Sequence, residues 1–316
     1  MSRPSASPRR ARSAALAAFL ASLAAAAPAG SGTRTLVALR SDQAALPESI
    51  ARETRASVDR ACDSLRVFGA GDVRAAAALS DPGAPAPELR RAFDRLERSR
   101  LLDAPWSGDD ADRAVFAALG AAFAGTDPPA PLLRRLERED LDGLSPGSAA
   151  LALVALDAFG ARTEAGWDRL AERPLPKRPT IASVAAAALA RQARARRRAP
   201  PLDLPPADVL AHARWLAARL DLRFRASGAA PDPEHPLDAE GALLVALLAS
   251  SLPRRALADP ALGLFPSDWR NHLADRILAA QVRDPDTGLC RWGAVDGDPV
   301  RETALAVLAL RLVAAE

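Results

Sequence analysis

The chain has 316 residues, 49% of them apolar and 26% charged, with a formal net charge of +3 at pH 7. Several of its positive charges fall within the first dozen residues, so the net charge gives no basis for a nucleic-acid partner. There is no tyrosine and aromatic residues make up only 4%, which counts against a large cavity lined by aromatic faces for gripping sugars or stabilising carbocations.

At the start of the chain, Arg3, Arg9, Arg10 and Arg12 form a positive n-region, Ser13–Ala27 an uncharged apolar stretch, and Ala27-Pro28-Ala29 an A-x-A cleavage site. That order predicts a secretory signal peptide over residues 1–29, and hence export to the periplasm or the extracellular space. The apolar stretch is too short and alanine-rich for a comfortable bilayer span, so no stable membrane span is expected after cleavage. Residues 30–46 read as a flexible mature N-terminus and residues 47–316 as one domain. Within it, apolar periodicity and Pro/Gly punctuation predict helices over Pro47–Val67, Pro87–Leu101, Asp110–Ala124, Pro146–Phe159 and Thr180–Arg196. Four more are predicted over Pro206–Phe224, Asp238–Leu252, Trp269–Gln281 and Val300–Ala314. Almost no strand is expected. The segments Leu202–Ala207 and Ser227–Pro236 read as Pro- and Asp-rich loops. The run Arg191–Arg198 closes a helix, where positive charge suits the dipole. No basic stripe continues from it, so no nucleic acid is expected.

The predicted helices are of two kinds. Ala149–Ala158, Ala182–Ala190 and Ala242–Ala249 are apolar all round, as in helices buried inside a larger assembly; Leu89–Arg100 is amphipathic and belongs outside. An all-α fold of inner and outer helices follows, either a two-layer ring or a solenoid. Each buried alanine contributes little apolar area, so many helices must bury one another.

Between Trp269 and Glu316 a helix ends in Gln281, a turn carries Asp286 and Gly288, Trp292 follows, and a second helix runs through Thr303-Ala304-Leu305. Glycine permits the tight turn, tryptophan covers the helix ends, and the glutamine side chain can bond unpaired backbone groups there. This resembles the repeat of the terpenoid cyclase and protein prenyltransferase superfamily, the squalene-cyclase-like α/α toroid. Weaker echoes of the second helix appear at Asp112–Leu119 and Ser148–Leu156, and of the first at Ser57–Leu65. The resemblance implies an α/α toroid of paired inner and outer helices, complete or incomplete; solenoid stacking is the alternative.

The superfamily's chemistry gives sites to look for. Its cyclases resemble one another in an Asp-x-Asp-Asp acid motif; the nearest string here, Asp109-Asp110-Ala111-Asp112, has another order and reads as helix capping. A diphosphate-binding DDxxD pattern is absent. His212, His235, His272, Cys62 and Cys290 show no zinc-ligand spacing, so neither resident metal nor cofactor is expected. Asp284, Asp286, Asp296 and Asp298, near Cys290, form an oxygen-rich loop that suits either a hard cation or simple turns. Glu234, His235, Asp238 and Glu240 form a second polar cluster, either a general acid and base or a loop leading into a helix N-terminus. In a closed toroid the first and last modules become neighbours, and a Cys62–Cys290 disulfide would latch them; otherwise both are buried free thiols. The leading expectation is an exported, non-catalytic toroid that binds an unidentified protein or ligand on its concave face. One alternative is an enzyme on the same fold acting on an isoprenoid or polysaccharide, with its acids among Asp109, Asp110, Glu234, Asp238 and Glu240. The other is an open helical-repeat scaffold.

Overall fold

The computed structural model describes residues 46–81, 85–98, 106–138, 141–198, 204–220, 237–253, 256–257, 262, 269–293 and 298–314. The predicted signal segment 1–29, the stretch 30–45, Glu234, His235, Asp296 and most of the two predicted loops lie outside the described residues.

Among the described residues the fold is all-α apart from one small hairpin. The first six helices are α1 (Glu48–Phe68), α2 (Val73–Leu79), α3 (Pro87–Arg98), α4 (Gly108–Ala124), α5 (Ala130–Arg138) and α6 (Pro146–Ala158). They are followed by α7 (Glu164–Glu172), α8 (Ile181–Arg198), α9 (Ala207–Leu220), α10 (Ala239–Ser251), α11 (Trp269–Ala279) and α12 (Pro299–Val313). Strands β1 (Val282–Arg283) and β2 (Cys290–Arg291) pair antiparallel between α11 and α12, with Val282 opposite Arg291. Three helices, α2, α5 and α7, were not expected from the pattern. Helix α2 is only seven residues, VRAAAAL, and all of them are buried, so it has no polar face to create a period. Helices α5 and α7 have nine residues each, too short for a repeating stripe to stand out from their loops. Among the described residues no helix is long and apolar enough to cross a membrane.

With these three in place, buried and amphipathic helices alternate along the chain. In α10 every residue but Glu240 is buried, and in α6 the run Gly147–Leu156 is buried on all sides. By contrast, α3 buries only Leu89, Ala92 and Leu96, and α5 only Leu132 and Leu136, a single stripe in each case. Each even-numbered helix packs on the next, from α2 through α4, α6, α8 and α10 to α12, and α12 returns to pack on α1 and α2. Each odd-numbered helix packs on even-numbered neighbours, and α11 also reaches α1. Helices α6 and α10, separated by α8 in this order, touch directly. Both helices contribute mostly alanine and leucine to one buried core.

Residues between α11 and α12 hold the junction with α1. The Trp292 indole N–H donates to the Ile277 carbonyl of α11 (2.7 Å), and the Trp292 amide donates to Thr303 Oγ1 of α12 (3.1 Å). Gln281 donates from Nε2 to Ser57 Oγ on α1 (2.6 Å), so it bonds a side chain of the first helix and not the backbone groups expected. The Cys290 amide donates to Ser64 Oγ, also on α1 (2.8 Å). Gly288 has φ +69, the left-handed conformation that its turn requires. From α12, Arg311 donates to the Ser80 carbonyl and to Asp81, and lies 3.7 Å from Cys62 Sγ. Cys62 and Cys290 are both buried free thiols, so this junction carries no disulfide. Burial pushes the Cys62 thiol above its ordinary pKa, against the pull of Arg311.

Candidate functional site at the start of the buried helices

The N-terminal turns of α2, α4, α6, α10 and α12 come together through two arginines. Arg74 is the second residue of α2 and Arg301 the third of α12, where the helix dipole disfavours a cation. Carboxylates overcome that. Arg74, its side chain 8% exposed, pairs with Asp72 (2.7 Å) and Asp298 (2.7 Å), and with Asp109 (3.3 Å) and Asp112 (3.5 Å) of α4. Arg301 pairs with Asp112 (3.1 Å), with Glu240 of α10 (2.5 Å) and with its neighbour Glu302 (3.2 Å). It also reaches Ser148 Oγ of α6 at 3.5 Å. Asp112 joins the two arginines into one network.

Around this network the sequence supplies caps. Ser107 accepts from the Asp110 amide while the Asp110 carboxylate accepts from the Ser107 amide and hydroxyl, a complete capping box. Asp72, Ser145, Asp238 and Asp298 cap α2, α6, α10 and α12, each accepting a backbone N–H of the first turn. Glu302 accepts from the Ala239 amide (3.3 Å) and so ties α12 to the start of α10. Glu240 lies over Gly147 of α6: a Cβ built on Gly147 would stand 1.6 Å from Glu240 Oε1. The glycine is what leaves room for the carboxylate.

The electrostatics follow from burial set against pairing. Burial pushes the Glu240 carboxyl above its ordinary pKa, with Arg301 opposing. Burial likewise raises Asp238, against its bond from the Gly241 amide, and Glu302, against Arg301. Asp72 goes the other way: despite the cost of burial, its bonds with Arg74 hold it below the usual carboxylate range. Burial alone would lower both guanidinium pKa values. The carboxylates outweigh it, Asp72 first for Arg74 and Glu240 first for Arg301, and both arginines stay charged.

Of the residues singled out in the sequence, Asp109, Asp112, Asp298 and Glu240 enter the network, and Asp110 and Asp238 stand beside it as caps. Two other groupings are not seen among the described residues, and Asp296 and His235 lie outside them. Asp284 spends its Oδ1 on the Asp286 and Thr287 amides in the hairpin turn (3.0 and 2.8 Å), Asp286 is exposed, and Asp298 belongs to Arg74. His212 sits against Arg191 on α8, and His272 is buried in α11. Among the described residues no group of three or more His, Cys, Asp or Glu side chains is placed to hold a metal ion. Sequence reasoning missed Arg74 and Arg301, two arginines in an arginine-rich chain. Their signal was positional: a cation in the first turn of a largely buried helix, close to an aspartate cap.

The chain matches no family model, no curated protein and no solved structure.

Proposed function

We propose that this chain is an exported α/α toroid that binds a ligand or partner and does not catalyse a reaction. A closed ring is favoured over an open scaffold by the return of α12 onto α1 and α2. The resemblance of the last repeat to squalene-cyclase-like toroids supports the same reading, and export rests on the signal-like N-terminus. The observation that carries the non-catalytic part is the state of the acids. Asp112 and Glu240, enclosed at the start of the buried helices, are engaged in ion pairs with Arg74 and Arg301. A general acid or base must have room for the group with which it exchanges a proton. The buried helices that carry these acids contribute mostly alanine and leucine to the core. Binding is then left to the rim, where Asp109, Asp110 and Arg113 reach solvent.

The enzyme alternative has one observation in its favour, since the raised Glu240, Asp238 and Glu302 carboxyls cluster at one end of the helices. The test is to assay the purified mature chain and its Glu240→Gln variant for glycan hydrolysis and for diphosphate release from isoprenoid diphosphates. No turnover above background is expected from either protein. Turnover by the parent chain that is lost in a folded Glu240→Gln variant would establish the enzyme.

A further inference from the structure

Beside the charge network, the turn Gly69–Asp72 and helices α1, α2, α3 and α4 enclose a groove with two lobes. The larger, about 340 Å³, is lined by Arg66, Glu88, Arg91 and Arg95 over a floor of Leu65, Ala76 and Leu79. The smaller, about 240 Å³, continues from Gly71, Asp72 and Arg95 to Arg113 over Val73, Ala92 and Leu96. Arg95 stands where the lobes meet, its Nη1 3.2 Å from where a Cβ on Gly71 would lie.

The charges on the wall are unequal in availability. Asp72 is committed to Arg74 at 2.7 Å, Arg66 to Asp63 at 2.8 Å and Arg113 to Asp109 at 3.0 Å. Arg91 is held weakly, by Glu88 at 3.8 Å and by a long bond from its Nε to the Pro87 carbonyl at 3.4 Å. Arg95 makes no ion pair or hydrogen bond with any described residue. The groove therefore offers one free and one weakly held guanidinium above an apolar floor, in a volume suited to a small molecule. Planar guanidinium forks match phosphate and carboxylate oxygens, and the floor rewards an apolar body next to the charge.

We propose that this groove binds a small amphiphilic organic anion, its phosphate or carboxylate head on Arg95 and Arg91 and its apolar part along Leu65, Ala76 and Leu79. The proposal rests on the binding reading of this end of the molecule and supplies the ligand class. Its test is a calorimetric titration of the purified chain with hexyl phosphate, inorganic phosphate and hexanol. Hexyl phosphate is expected to bind at least about ten-fold more tightly than inorganic phosphate, because its alkyl chain leaves water. Hexanol is not expected to bind. Arg95→Ala should weaken hexyl phosphate about ten-fold, the effect of one charge-assisted bond. Arg90→Ala, on the exposed side of α3 and outside the groove lining, should leave it unchanged. Equal binding by Arg95→Ala and the parent chain would overturn the proposal, as would no binding of hexyl phosphate or binding only to phosphatidylglycerol vesicles. Each of these outcomes can occur with or without turnover in the Glu240→Gln assay, so the two readings fail separately.

Discussion

Arg74 and Arg301 show how a few charged residues organise a chain built largely of alanine and leucine. Each opposes the dipole of its own helix, and each is held by carboxylates from other helices, so neither position makes sense for the helix alone. Glutamate and aspartate are common at helix starts, which is why Asp109, Asp110, Asp238 and Glu240 were legible as caps. Their arginine partners were not, because ion pairs between helices leave no spacing in the sequence. Asp157, at the end of α6, is a further residue that no motif marked. It accepts from Thr163 Oγ1 and, at 2.9 Å, from Trp167 Nε1. Burial pushes its carboxyl up to about 6, against those two bonds. A carboxyl raised on folding holds its proton longer in the folded chain than in the unfolded one. Its contribution to stability is therefore complete below the unfolded pKa, near 4, and is lost as pH rises through about 6. Asp157→Asn cannot ionise. Relative to the parent chain, this variant should gain up to about 3 kcal/mol between pH 4 and pH 7, measured by urea unfolding. A stability difference independent of pH would contradict the assignment.

At the scale of elements, the sequence was most informative where a helix has either a stripe or no polar face over many residues. Helix α3 announced itself by Leu89, Ala92 and Leu96, and α6 and α10 by unbroken apolar runs. Helix α2 failed both criteria, being apolar but only seven residues long. Its absence from the prediction hid the alternation of buried and amphipathic helices, because α1 and α3 then appeared to follow one another. Gln281 was expected to serve backbone groups at its own turn, but it serves α1 across the junction. Contacts between distant elements depend on the path of the chain, and nothing local to Gln281 specifies Ser57. The pairing of α6 with α10 has a similar basis. Gly147 reads in sequence as part of a Ser-Pro-Gly helix start, whereas its second role is to seat Glu240. Gly147→Ala should destabilise the chain by about 1–3 kcal/mol, the usual cost of overpacking. That cost should shrink sharply in a Glu240→Ala background, where the new methyl group has nothing to strike. Equal costs in the two backgrounds, by urea unfolding, would show that Glu240 does not occupy this seat.

Over the whole molecule, the proposed toroid has two kinds of closure. Hydrogen bonds from Gln281, Cys290 and Arg311 join its last module to its first. The arginine network joins the starts of five buried helices at one end. An all-α fold was evident from composition and periodicity alone, because pattern reports which faces must be buried. Whether the ends meet depends on how many helices there are and how each turns relative to the last, which periodicity does not encode. The same limit applies to function: the acids were visible, but their ion pairing was not. In the proposed account those acids hold the ring together, and binding occurs at its rim. The most direct test is a double-mutant cycle on Glu240 and Arg301, with stability measured by urea unfolding. Arg301→Ala leaves Asp112, Glu240 and Glu302 without their shared cation, and should cost about 3–5 kcal/mol. Glu240→Ala should also destabilise, and the two changes should couple by at least about 1 kcal/mol. If Glu240→Ala instead stabilises the chain, as removal of a strained functional acid does, the network is maintained for chemistry and the structural account is wrong.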